Sequence, residues 1–167
     1  MTLMGLIEGL TGRRGGPAAD AEGCFELGIQ HADSGQVRKA IECFERAVSL
    51  DPEHVPAYVN LGAAYLEAGM GLEAVKACHK ALRLSPNDPE ALLNLATAYY
   101  EWGSYQEAIK ACDKALRAAP DCPGAYFIRG LSYIDLGQRE RALREYSTLQ
   151  RLDQEMADRL FVKIPKR

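Results

Sequence analysis

Thiols and imidazoles are the side chains of this 167-residue sequence best suited to metal binding or nucleophilic catalysis. They are Cys24, Cys43, Cys78, Cys112 and Cys122, and His31, His54 and His79. A structural zinc site usually has cysteine pairs separated by about two to four residues, and no such pair occurs here. The histidines have no ligand-like spacing with the cysteines either. The sequence therefore predicts no metal site and no bound cofactor.

Short catalytic motifs are also missing from the sequence. It contains no Gly-x-Ser-x-Gly turn, no Walker loop, no His-Glu-x-x-His pair and no Gly-x-Gly-x-x-Gly pattern. The glycine-rich stretch 13–16 follows no predicted strand, so we do not expect it to bind phosphate. Single carboxylates are scattered over the predicted helices, where most should be solvated. We therefore expect a protein that is not an enzyme.

Composition and charge narrow the classes of partner. The chain is 47% hydrophobic and 26% charged, as in ordinary globular proteins, and its net charge of −3 does not favour nucleic acid or an anionic membrane. No stretch approaches the roughly 20 apolar residues that span a bilayer. Residues 1–10 contain Glu8 and lack the basic start of a secretory signal. With an odd number of cysteines, this predicts a cytoplasmic protein that neither inserts into membranes nor binds nucleic acid.

Several residue types recur every 34 residues, and this period dominates the sequence. Glycine stands at 35, 69, 103 and 137, alanine at 40, 74, 108 and 142, and proline at 52, 86 and 120. A fixed period of this length is typical of stacked helical repeats. Apolar residues between these markers are spaced by three and four, which indicates helices rather than strands. We therefore predict four units over 21–54, 55–88, 89–122 and 123–156.

The recurring residues have local roles that physical chemistry predicts. The glycines end the first helix of each unit with a positive φ angle, the alanines allow two helices to approach closely, and the prolines end the second helix. Ser104 is a predicted N-cap, and Cys78 and Cys112 are predicted small core residues. Outside the array we predict a flexible segment over 1–20 with a short apolar stretch. A capping helix with a basic tail is predicted over 153–167, overlapping the end of unit four.

The residues within each unit also follow a shared pattern. Unit two reads Tyr58, Leu61, Gly62, Tyr65, Gly69, Ala74, Cys78, Ala81 and Pro86. Units three and four begin the same pattern with Leu92, Leu95, Ala96 and Tyr99, and with Tyr126, Arg129, Gly130 and Tyr133. The pattern resembles the tetratricopeptide repeat (TPR). The resemblance implies an all-α, right-handed superhelical solenoid of four helix-turn-helix units plus a C-terminal capping helix, with the first helices lining a concave groove.

The resemblance also implies which positions of the first helices face that groove. The fifth position of each unit forms an apolar strip of Phe25, Val59, Leu93 and Phe127. The thirteenth position forms an acidic row of Asp33, Glu67, Glu101 and Asp135. The other predicted groove residues are Ile29, Ala63, Leu66, Thr97, Tyr100, Leu131 and Ile134, with the amides Asn60 and Asn94. These amides are expected either to bind a ligand backbone or to make helix-packing hydrogen bonds.

An apolar strip beside an acidic row predicts an adaptor that holds a peptide or helix in the groove. This ligand is expected to be either apolar alone or both apolar and basic. One alternative is a self-assembling scaffold in which residues 1–10 of one chain enter the groove of the next. Another is a chaperone for assembly or secretion. Of the Lys, Asn and Arg residues with which some TPRs hold the acidic C terminus of heat-shock chaperones, only Asn60 is kept, so that function is not supported.

The second helices carry a basic row that repeats between units two and three. Its members are Lys76, Lys80 and Arg83, followed one period later by Lys110, Lys114 and Arg117. We expect this row on the convex side, either as a solvated face or as a contact with phosphates or a second partner. No aromatic residues are interleaved with it in the manner of nucleic-acid stacking sites.

Overall fold

The computed structural model describes residues 17–165, which form nine α-helices and no strand. They are α1 (Pro17–Asp33), α2 (Val37–Leu50), α3 (Val55–Glu67), α4 (Gly71–Leu84), α5 (Pro89–Glu101), α6 (Tyr105–Ala118), α7 (Pro123–Asp135), α8 (Arg139–Leu152) and α9 (Gln154–Lys163). The predicted all-α array of helix pairs with a C-terminal helix is confirmed. Most of the predicted flexible segment and the end of the basic tail, residues 166–167, lie outside the described residues.

The start of α1 differs from the prediction. Residues 17–20 belong to its first turn instead of to a linker. Proline suits the first helical position because its missing N–H has no partner there, and the two alanines that follow are the best helix formers. The helix therefore begins earlier than the repeat period indicates.

The way the helices contact one another gives the array an inner and an outer side. Each helix packs against the next along the chain, and α1, α3, α5, α7 and α9 also contact one another in sequence. Among the described helices, α2, α4, α6 and α8 make no comparable contacts with each other. The first helices therefore form the tighter inner layer, and the spread second helices form the outer one, as in curved solenoids.

The four glycine turns inside the helix pairs have one shared geometry. Gly35, Gly69, Gly103 and Gly137 have φ angles of 68°, 70°, 72° and 69°. In unit two, the Gly69 N–H donates to the Leu66 carbonyl at 2.9 Å and the Met70 N–H donates to the Tyr65 carbonyl at 2.8 Å. This is the Schellman arrangement, and the same two bonds recur in the other three units. The predicted role of these glycines is confirmed.

Small residues occupy the close approaches between paired helices. Ala40, Ala74, Ala108 and Ala142 are completely buried. Cys78 and Cys112 are also completely buried and carry free thiols. Burial raises the pKa of each thiol to about 12, so both stay protonated near neutral pH. Their role as small core residues is confirmed.

Helix caps differ between the two layers. Asp88 accepts a hydrogen bond from the Ala91 N–H at 2.8 Å at the start of α5, and Asp153 accepts one from the Met156 N–H at 2.9 Å at the start of α9. Ser104 stands at the N-cap of α6 as predicted, but its side chain makes no capping hydrogen bond. Its backbone angles of −84° and 59° are not the extended ones from which a serine normally caps.

The C-terminal helix closes the last unit. Ala157 and Leu160 of α9 are completely buried against unit four, together with Leu149 of α8. Within residues 17–165, each helix is too short or too polar to cross a bilayer.

Candidate functional site

The acidic row is the clearest polar feature of the inner layer. Asp33, Glu67, Glu101 and Asp135 are exposed, and each is the last residue of its helix. A helix C terminus carries partial negative charge and disfavours carboxylates. Within residues 17–165, no ion pair involves any of the four. Neither helix energetics nor ion pairing inside the described chain explains the row, which leaves it able to attract cationic groups.

Tyr100, near the end of α5, lies beside Asp135, the member of the acidic row in unit four. Its ring is half-buried and lies 5.7 Å from the ring of Tyr105, centroid to centroid. Burial, and then the neighbouring Asp135 carboxylate, raise the pKa of Tyr100 to about 12. The phenol therefore remains a neutral hydrogen-bond donor beside a carboxylate.

Three members of the predicted apolar strip are half-buried at the inner face. The Phe25 ring lies 5.9 Å from Phe44 and 4.8 Å from the His54 ring. The Cζ atom of Arg159, on α9, lies 5.2 Å from the centre of the Phe127 ring. The Phe25 and Phe127 rings are therefore partly engaged by neighbouring helices and present only part of their surface.

Leu93 owes its position to a glycine on the next first helix. A Cβ atom built on Gly124 would lie 3.0 Å from the Leu93 Cδ2 atom, closer than ordinary van der Waals contact. The absence of a side chain at 124 therefore leaves room for Leu93 between α5 and α7.

Val59 and Leu131 were predicted to line the groove with exposed surface, and this is wrong. Val59 is 6% exposed and packs with Ala81 and Ala91. Leu131 is 7% exposed and packs with Leu149 and Leu160. Val59 is buried because its neighbours on the adjacent helices are small, and Leu131 is buried because α9 covers it. The strip is consequently interrupted in unit two.

The predicted amides have partners inside the protein. The Asn94 Nδ2 atom donates to the Val59 carbonyl at 3.1 Å, which joins α5 to α3. The Asn60 Nδ2 atom donates to the Pro56 carbonyl at 3.0 Å within its own helix. Of the two roles that the sequence left open for Asn94, helix packing is the one the geometry shows.

The remaining predicted groove residues vary in exposure. Ala63 is exposed and Ile29 is 36% exposed, whereas Leu66, Thr97 and Ile134 are half-buried. The Thr97 hydroxyl donates to the Leu93 carbonyl at 3.0 Å. The inner face therefore combines half-buried apolar groups with an exposed acidic row.

Sequence reasoning missed a charged cluster behind unit four. Arg129 Nη1 donates to Asp113 Oδ1 at 2.6 Å, and Nη2 donates to Glu145 Oε2 at 2.9 Å. Burial alone would lower the pKa of Arg129, but its two carboxylate partners raise it above its ordinary value. The signal was an arginine at the position that holds leucine in the other three units. The cluster joins α6, α7 and α8 and lies outside the groove.

Three family models, each described as a tetratricopeptide repeat, match residues 25–89, 66–127 and 123–156. The chain belongs to the tetratricopeptide repeat family. Curated protein sequences contain no match to this TPR chain. Within residues 17–165 there is also no group of three or more His, Cys, Asp or Glu side chains that could hold a metal ion.

Solved structures show the same TPR architecture. The chain is similar to MamA at 27% sequence identity and a TM-score of 0.74, over 83% of this chain and 81% of the other. It is similar to TTC0263, a thermophilic TPR protein in Thermus thermophilus, at 22% identity and a TM-score of 0.76, over 85% and 81%. It is also similar to the first TPR of Spaghetti (RPAP3), bound to the HSP90 peptide SRMEEVD, at 21% identity and a TM-score of 0.70, over 72% and 95%. The last two structures are less than 25% identical to this chain, so they show only that the fold is shared.

Proposed function

We propose that this TPR protein is a non-enzymatic adaptor that binds an apolar and basic peptide or helix along its inner face. The observation that carries the proposal is the acidic row, whose four carboxylates are exposed and form no ion pair within residues 17–165. Apolar side chains that are only half-buried lie on the same helices, as in a surface that a ligand covers. The basic groups of the ligand would meet the row while its apolar groups contact Leu93 and Ile29.

The proposed ligand differs in charge from the peptide that the RPAP3 domain holds. The peptide held by the RPAP3 domain contains three acidic residues and one basic residue. An acidic row repels such a peptide, because like charges that face each other across an interface are unfavourable. We therefore expect a basic ligand here. The five free thiols further support placing this adaptor in a reducing compartment such as the cytoplasm.

The test uses three labelled synthetic peptides: one of leucines and lysines, one of leucines and glutamates, and one of serines and lysines. Binding is measured by fluorescence anisotropy. We expect the leucine–lysine peptide to bind most tightly. Its affinity should fall as the salt concentration rises, since exposed charges are screened over about 8–10 Å at physiological ionic strength. Equal binding of the leucine–lysine and leucine–glutamate peptides would contradict the proposal.

Charge-reversal variants locate the binding surface. Glu67→Lys combined with Glu101→Lys should lower the affinity for the leucine–lysine peptide about tenfold, because each exposed ion pair contributes up to roughly 1 kcal/mol. The matched control reverses two exposed glutamates on second helices, Glu42 and Glu140. The control changes net charge equally and should leave most of the binding intact. Equal losses in both variants would show that net charge, and not the row, is responsible.

Self-assembly is the second candidate, and the same acidic row supports it. Residues 1–16 carry Arg13, Arg14 and several apolar residues, which is the chemistry that the row should attract. Light scattering over a concentration series compares the full chain with a chain lacking residues 1–16. Association of the full chain alone favours the scaffold, whereas two monomeric species contradict it and leave the adaptor proposal standing.

A further inference from the structure

The outer side of the array carries a cleft that is separate from the groove. It has a volume of about 420 Å³ and opens between α4 and α6, with α5 as its floor. Leu82, Leu92 and Leu95 form its apolar interior, and Lys110 and Lys114 stand on its rim. None of the predicted groove residues lines it. Its volume falls within the roughly 300–1,000 Å³ that is usual for binding pockets.

A smaller version of this cleft occurs one unit earlier. It has a volume of about 180 Å³ and is lined by Tyr58, Leu61, Tyr65, Glu73, Lys76, Ala77 and Lys80. Each of these residues lies 34 positions before a residue that lines the larger cleft. The two are therefore the same place in consecutive units, and the larger one has more than twice the volume of the smaller.

The two clefts differ at a position that holds tyrosine in two of the units. The position that holds Tyr58 in unit two and Tyr126 in unit four holds Leu92 in unit three. In unit four, the Tyr126 hydroxyl donates to the Pro120 carbonyl at 3.0 Å, so its ring extends to the proline that ends the unit before. The equivalent proline in the larger cleft is Pro86, which is part of the cleft wall. Leu92 has no hydroxyl with which to make this contact, and the cleft extends to Pro86 beside it.

The rest of the cleft wall also differs between the two units. The larger cleft is also lined by His79 and Leu82, whose equivalents in unit two, Glu45 and Val48, do not line the smaller one. The Tyr65 hydroxyl donates to Glu45 at 2.5 Å in unit two, whereas the Tyr99 hydroxyl and His79 Nε2 are 3.5 Å apart. The added volume therefore lies on the α4 side, towards Pro86.

The rim of the larger cleft is basic. Lys110 Nζ lies 3.7 Å from Glu107 Oε1, in a pair whose members are both well exposed. Lys114 has no ion pair within residues 17–165 and also lines an adjoining pocket of about 460 Å³ with Arg117 and Asn87. Two lysines against one carboxylate leave the rim net positive, and Arg117 adds a third cation in the adjoining pocket.

We propose that this cleft binds a phenylalanine or tyrosine side chain of a partner protein, flanked in the partner's sequence by acidic residues. The ring lies against Leu82 and Pro86, beside the position that holds tyrosine in units two and four. The flanking carboxylates meet Lys110, Lys114 and Arg117. The site therefore selects a partner of opposite charge to the ligand of the groove, and one molecule can hold both.

The test uses a labelled acidic hexapeptide with one central phenylalanine, and two control peptides. In one control alanine replaces the phenylalanine, and in the other lysines replace the acidic residues. By fluorescence anisotropy we expect the alanine peptide to bind about tenfold or more weakly, since burying a large apolar side chain contributes roughly 1.5–3 kcal/mol. The lysine peptide should not bind to the cleft. Equal affinity of the phenylalanine and alanine peptides would overturn the proposal.

Two variants and one matched control locate the site. Leu92→Tyr places in unit three the residue that units two and four already accept, and it should abolish binding of the phenylalanine peptide while circular dichroism shows an intact helical fold. Lys114→Glu should weaken binding, whereas Lys80→Glu, at the equivalent position of the smaller cleft, should not. A folded Leu92→Tyr protein that binds like the wild type would overturn the proposal, as would equal losses in the two lysine variants. If Leu92→Tyr does not fold, the lysine pair decides alone.

Discussion

The two ends of the array finish differently, and one repeated position shows how. Leu61 and Leu95 occupy the same position in units two and three and are 5% and 6% exposed, whereas Leu27, the same position in unit one, is 45% exposed. Leu61 packs in a cluster with Ile41 and Phe44 of the preceding second helix. No helix precedes α1 within residues 17–165. The second helix of the unit before therefore contributes to the burial of this position, and Leu27 lacks that contribution within residues 17–165.

The other end of the array is covered by α9. This helix contacts both α7 and α8, as the first helix of a next unit would. Its Leu160 side chain is completely buried, and Cδ2 would lie 2.6 Å from a Cβ atom at Gly130. Its own outer side keeps Phe161 and Val162 exposed at 53% and 84%. A repeat buries its faces only against neighbours, so the comparison separates a covered end from one that the described residues leave open.

Removing α9 should have the largest effect on stability. A chain that ends at Asp153 would expose Leu131 and Leu149 and lose the burial of Leu160, each worth roughly 1.5–3 kcal/mol. We expect the midpoint of urea unfolding, followed by circular dichroism, to fall markedly. The control is Val162→Ser on the exposed side of α9, which should stay within about 0.5 kcal/mol of the wild type. An unchanged midpoint in the truncated chain would show that α9 does not stabilise unit four.

A smaller effect is expected from shortening the leucines of the repeated position. Leu61→Ala should destabilise the protein by roughly 2–5 kcal/mol because it leaves a cavity in a packed core. Leu27→Ala should cost less than about 1 kcal/mol, since nearly half of that side chain is already in water. Thermal and urea unfolding of the two variants measure the difference. Equal losses would mean that Leu27 is covered in solution, either by residues outside 17–165 or by a second copy of the chain.

The fold was largely predictable because its determinants are local and repeated. A glycine that ends a helix acts through its own φ angle, so Gly69 has the same geometry whatever packs around it. Burial at the inner face is different, because it depends on which side chains stand opposite. Val59 sinks against two alanines and Leu131 lies beneath α9, and neither neighbour follows from the position within a unit.

The outer cleft was hidden from sequence reasoning for another reason. It lies beside Leu92, and a leucine fits the apolar pattern at this position as well as a tyrosine does. Asn94 shows a related limit, since its hydrogen bond to the Val59 carbonyl depends on how closely α3 and α5 approach.

The smallest effect is expected from adding one methyl group, by a glycine-to-alanine substitution, at each end of the array. A Cβ atom at Gly23, inside α1, would meet nothing within 4 Å, whereas one at Gly130 would lie 2.6 Å from Leu160 Cδ2 and 3.3 Å from Glu145 Cβ. Alanine is the better helix former by roughly 0.5–1 kcal/mol, so Gly23→Ala should raise the melting temperature slightly. At Gly130 the same gain is outweighed, because the buried Leu160 must move and overpacking costs about 1–3 kcal/mol.

The two alanine variants should therefore change the melting temperature in opposite directions, although the chemical change is identical. A rise in both would mean that α9 yields to the added methyl group and packs loosely on unit four. A fall in both would mean that Gly23 has a neighbour in solution that residues 17–165 do not include. Because each outcome assigns the effect to one end of the array, this pair of substitutions tests the contrast between the covered and the open end most directly.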